Sequence, residues 1–204
     1  MGNPVRAGIA ALPQPAERFA QHDGPLRLLV LGGSQGALAL NRTVPAALAL
    51  LPQSLRPVVR HQTGERTLEI AENAYAEYSI AAQMVAFIED MAEAYAWADL
   101  VVCRAGALTV AELSAAGLPA IFIPYPSAVD DHQTANARLL KDAGAAEIMT
   151  EEDLTPHSLA ALLSDWLSSR DRLCQRAQTA RAQARPEALA RITDLCLELA
   201  GASA

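Results

Sequence analysis

The chain has 204 residues, 51% of them apolar, and a formal net charge of −7 at neutral pH. That length is enough for one well-buried domain with an appended helix. The negative charge argues against a nucleic-acid surface, which needs clustered Lys and Arg, and makes the chain a poor electrostatic match for anionic lipid. No apolar run approaches the roughly 20 residues of a membrane-spanning helix, and no signal peptide is evident, so we expect a cytoplasmic protein.

Residues 1–25 carry four prolines and are predicted to form a linker or an extended arm. Buried strands are predicted at 26–31, 57–62, 83–88, 99–103, 120–124 and 145–149. Helices are predicted between them at 37–51, 65–78, 89–97, 109–116 and 131–143. This alternation is typical of βαβ units and predicts an α/β fold with a parallel, doubly wound sheet.

From Thr155 onward the chain is predicted to be helical, with a break at Pro186. The last helix, 187–199, carries apolar residues along one side. Such a stripe normally faces the core, but it could also be a face for another domain.

Isolated cysteines and histidines give little evidence of chemistry. Cys103, Cys174 and Cys196 are odd in number and widely spaced, which favours ordinary buried thiols over a disulfide or a zinc site. His22, His61 and His157 have no Asp or Ser partner at motif spacing. We therefore expect these three histidines on the surface.

The stretch from residue 99 to residue 119 is predicted to form a strand, a tight turn and a helix. In an open α/β sheet such a turn lies at the carboxyl end of a strand, where ligands bind. The N–H groups of the helix start favour an anion there, so a phosphate is the obvious candidate.

Two interpretations of Thr109 and Glu112 are compatible with the sequence. Their Thr-x-x-Glu spacing is that of a capping box, in which each side chain satisfies a backbone N–H and no ligand is needed. Alternatively, Thr109 contacts a phosphate oxygen and Glu112 accepts hydrogen bonds from vicinal hydroxyls such as a ribose diol.

A second glycine-rich turn, residues 32–36 (GGSQG), follows the strand at 26–31. Its glycines would let the backbone approach a ligand closely. Neither the G-x-G-x-x-G spacing nor the P-loop pattern is present, which disfavours dinucleotide or ATP binding by those devices. A tight turn with Ser34 as a helix cap explains the same residues.

Five segments resemble the MurG family, bacterial N-acetylglucosaminyltransferases that convert lipid I to lipid II in peptidoglycan synthesis. They occur in the order and at the spacing of that family: residues 2–6 (GNPVR), 32–36 (GGSQG), 87–91 (FIEDM) with 94–99 (AYAWAD), 104–112 (RAGALTVAE) and 130–133 (DDHQ). The resemblance covers essentially the whole chain. It implies the Rossmann-like donor-binding half of a two-domain GT-B glycosyltransferase, without the N-terminal acceptor domain.

The resemblance also implies a division of the chain. Residues 1–25 would be an interdomain linker or arm, residues 26–185 the UDP-sugar-binding domain, and residues 186–204 a helix packing toward the missing N-terminal domain.

The implied donor is UDP-N-acetylglucosamine, and the resemblance assigns residues to each part of it. Ser34 would contact the diphosphate, Ile88 the uracil, Glu112 the ribose hydroxyls and Gln133 the sugar. The complete implied binding set is Arg6, Ser34, Ile88, Ala107, Leu108, Thr109, Val110, Ala111, Glu112 and Gln133.

The implied reaction is an inverting transfer to lipid I, with Ser34 and Thr109 stabilising the leaving group and no metal or other cofactor. We expect Asp130 and Asp131 to have a loop or helix-capping role rather than a metal role, whereas a sugar contact for His132 stays open.

The general base and the acceptor and membrane contacts would belong to the missing domain, so the isolated chain is expected to be inactive. The full-length enzyme would be peripheral on the cytoplasmic face of the inner membrane.

Two other functions stay open from the sequence. One is a free-standing module that binds a nucleotide sugar. The other is a different enzyme acting on UDP-N-acetylglucosamine, such as an epimerase, which would need its own acid and base in the same cleft.

Overall fold

A computed structural model of the chain describes residues 2–33, 36–126 and 131–201. Six parallel strands form one sheet: β1 (Arg27–Leu31), β2 (Val58–Gln62), β3 (Gln83–Val85), β4 (Leu100–Cys103), β5 (Ala120–Phe122) and β6 (Ala146–Ile148). The strand order is β3-β2-β1-β4-β5-β6. Because the order reverses between β1 and β4, the carboxyl ends of these two strands flank the crevice where ligands bind in such sheets. The predicted doubly wound parallel sheet is confirmed.

Ten α-helices are present in the described residues. They are α1 (Ala7–Ala10), α2 (Pro15–Ala20), α3 (Leu38–Leu50), α4 (Leu68–Glu77), α5 (Met91–Trp97), α6 (Ala107–Ala116), α7 (His132–Asp142), α8 (Pro156–Leu167), α9 (Arg170–Ala182) and α10 (Ala188–Leu199). Short 3-10 turns lie at Gln53–Leu55 and Glu65–Thr67.

The central strands β1 and β4 are apolar except for Arg27, because helices cover both faces of the sheet. Leu28 and Val30 of β1 pack on one face with α3 and α8. Leu29 and Leu31 of the same strand pack on the opposite face with α5 and α6. Alternate residues of a strand therefore belong to two separate cores, which hold the helix starts at fixed positions above the strand ends.

The N-terminal 25 residues are not an extended arm. Residues 7–10 and 15–20 are helical, and Pro15 occupies the first turn of α2, where its missing N–H costs nothing. Ile9 and Phe19 are buried in the two cores. The expected extended conformation is wrong for these helices, whereas a role of the segment as an interdomain linker stays a prediction.

Two of the three histidines expected on the surface are not there. His61 is fully buried on β2, with Nδ1 3.0 Å from the Tyr75 hydroxyl, and this burial lowers the pKa of the ring to about 3. His22 is largely buried, with Nε2 3.1 Å from Oδ1 of Asp99. His157 is exposed, as expected. A histidine on an inner strand is buried because the strand is covered on both sides, which motif spacing does not reveal.

The three cysteines are free thiols. Cys103 is buried, Cys174 is partly buried and Cys196 is exposed on α10. The prediction of buried thiols therefore holds for Cys103 but is wrong for Cys196.

The apolar side of helix α10 is not covered by any other part of the chain that the structure describes. Ala188 is its one buried residue, whereas Leu189 is 60% exposed and Leu199 is 80% exposed. The alternative that this stripe faces the core of the chain is therefore wrong, and packing against another domain stays a prediction. Across the described ranges, none of the helices combines the length and the apolar character needed to cross a membrane.

Candidate functional site

A cleft of about 540 Å³ opens at the carboxyl ends of the central strands. Its floor includes the last residues of β1, β2 and β4, which are Leu31, Gln62 and Cys103. A neighbouring cleft of about 600 Å³ lies along the start of α3. Gly33 and Arg104 line both clefts, so the two form one continuous groove across the switch point of the sheet.

Glu112 lies in the wall of the first cleft, and its two carboxylate oxygens have different partners. Oε1 accepts hydrogen bonds from Nη2 (3.0 Å) and Nε (3.3 Å) of Arg6. Oε2 accepts a hydrogen bond from the Tyr95 hydroxyl (3.1 Å). The Arg6 side chain is 60% exposed and the Glu112 side chain 15%. The carboxylate is thus held at the cleft surface by one buried and one exposed donor.

The capping-box interpretation of Thr109 and Glu112 is wrong. Helix α6 begins at Ala107, two residues earlier than predicted, and its N-cap is Gly106, which makes no side-chain capping hydrogen bond. Thr109 is therefore inside the first turn rather than at the cap, and Glu112 lies in the second turn. This helix start leaves Glu112 to contact Arg6 and Tyr95 instead of the backbone.

The starts of two helices supply N–H groups to the groove. Neither α6, with Gly106 at its N-cap, nor α3, with Ala37, has a side-chain cap. The orphan N–H groups of such helix starts attract an anion, and the helix dipoles add to this attraction. Thr109 lines the first cleft beside Leu108, where its hydroxyl can add a further hydrogen bond. The arrangement suits a phosphate group between the two helices.

Gln62 braces the glycine-rich turn and was not predicted as a site residue. Its Oε1 accepts from the Gly33 N–H (2.9 Å), and its Nε2 donates to the carbonyls of Gly33 and Ala86 (2.9 Å each). Gly36 has φ +74°, and a Cβ there would lie 2.5 Å from the Thr63 carbonyl oxygen. The turn therefore needs glycine at this position. A polar residue at the end of a buried strand was the available signal for Gln62.

The loop between β3 and α5 forms another wall of the first cleft. Ile88 is partly buried against the core, whereas Phe87 beside it is 66% exposed. Asp90 begins the following helix, since its carboxylate accepts from the Glu93 N–H (2.9 Å). This cap shortens the predicted helix 89–97 and leaves Ile88 and Glu89 in the loop that lines the cleft.

Gln133 lines the second cleft at the start of α7. Its Oε1 accepts from the N–H groups of Ala105 (3.2 Å) and Tyr125 (3.0 Å), which ties α7 to the turn before α6. Asp131 has φ +49° at the N-cap of α7 and makes no capping hydrogen bond through its side chain. Its neighbour Asp130 lies outside the described residues.

Arg104 joins the two clefts and was not predicted individually. Its Nη1 donates to the carbonyls of Ile123 (3.1 Å) and Pro124 (3.2 Å), and its Nη2 pairs with Glu151 (2.5 Å). The guanidinium also lies over the Tyr125 ring, 5.4 Å from its centre. These contacts fix a cation beside the glycine-rich turn.

The predicted binding residues are brought together in part. Those that line the first cleft are Arg6, Ile88, Leu108, Thr109 and Glu112, and Gln133 lines the second. Ala107, Val110 and Ala111 instead line a cavity of about 220 Å³ beside α7, and the Val110 side chain is buried in the core. Ser34 lies outside the described residues.

Comparison with known proteins agrees with this architecture. The family model described as glycosyltransferase family 28 C-terminal domain matches residues 27–192. A relative from Alkalilimnicola ehrlichii is 57% identical over 97% of this chain and 56% of its own length, and one from Marinobacter nauticus is 52% identical over 98% of this chain and 55% of its own. Both are named UDP-N-acetylglucosamine–N-acetylmuramyl-(pentapeptide) pyrophosphoryl-undecaprenol N-acetylglucosamine transferase.

The crystal structure of MurG from Acinetobacter baumannii is similar to this chain with a TM-score of 0.85 and 43% identity. The match covers 93% of this chain and 55% of that protein. The chain thus spans about half the length of the curated relatives that it matches. Since the family model covers the whole sheet and helices α3 to α9, the chain belongs to glycosyltransferase family 28, as its C-terminal domain.

Proposed function

We propose that this chain binds the UDP-N-acetylglucosamine donor of an inverting N-acetylglucosaminyltransferase that converts lipid I to lipid II in peptidoglycan synthesis. The observation that carries the proposal is the carboxylate of Glu112, held in a cleft wall one turn into a helix whose start has no side-chain cap. A diol acceptor next to an anion site matches a ribose attached to a diphosphate. The names of the relatives that share half or more of this sequence support the same donor.

The groove has room for the parts of such a donor in order. We place the uracil beside Ile88 and the ribose at Glu112. The diphosphate would lie between the starts of α6 and α3, near Thr109 and the predicted contact Ser34. The sugar would extend into the second cleft toward Gln133.

The chemistry that these residues can supply is stabilisation of the leaving group. As an acceptor hydroxyl attacks the anomeric carbon, the bond to the diphosphate breaks and negative charge grows on the β-phosphate. N–H groups fixed at two helix starts, with the Thr109 hydroxyl, are preorganised to accept that charge, an effect worth several kcal/mol in a site closed to water.

We assign the remaining steps to a part of the enzyme outside this chain. The acceptor hydroxyl must lose its proton to a general base within hydrogen-bond reach, and the lipid-linked acceptor must be bound at the cytoplasmic face of the inner membrane. The described walls of the groove carry three carboxylates, of which Glu112 is assigned to the ribose, Glu151 is paired with Arg104, and Glu89 lies in the loop before α5. The isolated chain would therefore bind the donor without transferring its sugar.

Calorimetric titration of the chain with UDP-N-acetylglucosamine, UDP and ADP tests the proposal. We expect the uridine ligands to bind more tightly than ADP, and Glu112→Gln to weaken UDP binding about tenfold through the lost charged hydrogen bonds. Glu93→Gln is the matched control, because Glu93 is also ion-paired with an arginine, Arg60, but lies outside the cleft lining. Equal binding of UDP and ADP, or equal effects of the two variants, would contradict the proposal.

A further inference from the structure

Tyr95 lines the first cleft, and its hydroxyl is hydrogen-bonded to the carboxylate of the candidate ribose site. The residue is on α5, 1% exposed and packed in the core between α5 and the sheet. Its hydroxyl nevertheless reaches Oε2 of Glu112, 3.1 Å away on α6. A buried tyrosine usually finds a partner for its hydroxyl, and here that partner is a carboxylate in the cleft wall.

The direction of this hydrogen bond is fixed by the chemistry of the two groups. Burial and the neighbouring Glu112 raise the pKa of the Tyr95 hydroxyl well above its ordinary value, so the hydroxyl keeps its proton. It therefore donates to Oε2, and Glu112 accepts as a carboxylate.

The two donors on Glu112 differ in how firmly they are held. Tyr95 is locked by core packing, whereas Arg6 comes from the chain before α1 and has a 60% exposed side chain. A diol entering the cleft can replace Arg6 at Oε1 without disturbing the core. It cannot displace Tyr95 in the same way, because that ring is buried.

We propose that Tyr95 is a positioning residue for ribose recognition: its hydroxyl holds Oε2 of Glu112, so that Oε1 faces the 2′- and 3′-hydroxyls of the nucleotide. This inference rests on the proposed function. Without the Tyr95 hydroxyl the carboxylate can rotate about its side-chain torsions and follow Arg6, which costs the diol its oriented acceptor.

The test compares two ligands that differ in the diol alone. Tyr95→Phe removes one oxygen and is titrated calorimetrically with UDP and with 2′,3′-dideoxy-UDP, after thermal unfolding has verified its fold. We expect UDP affinity to fall roughly fivefold to tenfold and dideoxy-UDP affinity to stay within about twofold of the wild-type value. The wild-type preference for UDP would thus be lost.

Tyr75→Phe is the matched control. Tyr75 is also 1% exposed and its hydroxyl also has a side-chain partner, His61, but it does not line the cleft. This variant should keep the wild-type preference for UDP. In a Glu112→Gln background, Tyr95→Phe should cause no further loss, because the hydroxyl acts through that carboxylate.

Each result is informative about one of the two hypotheses. If Tyr95→Phe weakens both ligands equally, or keeps the preference for UDP while Glu112→Gln loses it, Tyr95 has no positioning role and the proposed function stands. If the wild-type chain does not distinguish UDP from dideoxy-UDP, ribose recognition by Glu112 is wrong, and the inference fails together with that part of the proposed function.

Discussion

The ring of His61 is buried beside the Tyr75 hydroxyl, and this burial lowers its pKa to about 3. In the unfolded chain the same ring has an ordinary histidine pKa of about 6.5. Between these two values the unfolded state binds a proton that the folded state excludes. The free energy of unfolding therefore keeps its full contribution from His61 above about pH 6.5 and loses it as the pH falls toward 3.

This residue gives a prediction for pH dependence. From pH 7.5 to pH 5 the contribution of His61 to the free energy of unfolding should fall by about 2 kcal/mol. Urea unfolding of the wild-type chain and of His61→Gln at both pH values measures it, because the pH dependence of other groups cancels in the difference. The exposed His157 provides the control variant His157→Gln, for which no such change is expected. Parallel curves for wild-type and His61→Gln would contradict the assignment.

The sequence predicted which residues belong to the candidate site better than it predicted which residues they contact. Glu112 was a candidate diol acceptor from its place after a strand and a turn, and the structure puts it in the cleft wall. Its partners were not predicted, because Arg6 is 106 positions away and Tyr95 is 17 away on another helix. Such contacts depend on how helices pack on the sheet, which local spacing does not encode. Val110 lies inside the implied motif with its side chain in the core, and its place in the binding set stays a prediction.

Among the elements, the C-terminal end of α6 is fixed by hydrogen bonds and close contacts from other parts of the chain. Gly117 follows the helix with φ +63°, and Arg18 donates to the carbonyls of Ala116 and Gly117. A Cβ at Gly117 would lie 2.7 Å from Cγ of Pro15 and 3.0 Å from Cβ of Arg181. The N-terminal segment and α9 thus both pack against the C-terminal end of α6, the helix that carries Glu112.

A substitution at this helix end tests that packing. Gly117→Ala should lower the free energy of unfolding by about 2 to 3 kcal/mol, from the strained backbone together with the steric conflict. Gly144→Ala is the control, because Gly144 has φ +82° with nothing within 4 Å of the added Cβ. It should lose about 1 kcal/mol, from the backbone term alone. Chemical denaturation of both variants measures the difference. Equal losses in the free energy of unfolding would show that the residues around Gly117 move aside for the added Cβ at no cost.

The sequence predicted which strands and helices exist better than it predicted the residues at which they begin and end. All six strands were found. The signal was clearest for β1 and β4, whose runs are almost wholly hydrophobic because helices cover both faces of the sheet, whereas β2 also carries Arg60, His61 and Gln62. Helix starts were less accurate, since α6 and α5 begin at Ala107 and Met91, each two residues away from the predicted start. The shift at α6 decided the interpretation of Thr109. The short helices before β1 were missed because prolines there suggested a linker, although Pro15 begins a helix.

At the scale of the whole molecule, the described residues leave the apolar face of α10 without a cover. Leu189 and Leu199 of α10 are largely exposed, and Ala188 is the one buried residue of this helix. The chain spans about half the length of its curated relatives, so we propose that this face packs on a part of the enzyme outside the chain. Within the chain itself the face should contribute little to stability.

A substitution at Leu189 tests whether the chain itself covers this face of α10. Leu189→Gln should change the free energy of unfolding by less than about 0.5 kcal/mol, because the leucine is 60% exposed already. The same substitution at Leu163, which is fully buried on α8, should cost about 3 kcal/mol or more through a cavity and a buried amide. Urea unfolding at two protein concentrations distinguishes a face that is exposed from one that is covered by the chain itself or by a second copy of it. A loss above 1 kcal/mol for Leu189→Gln at both concentrations would mean that the chain covers this face itself, and a loss at high concentration alone would mean that a second copy does.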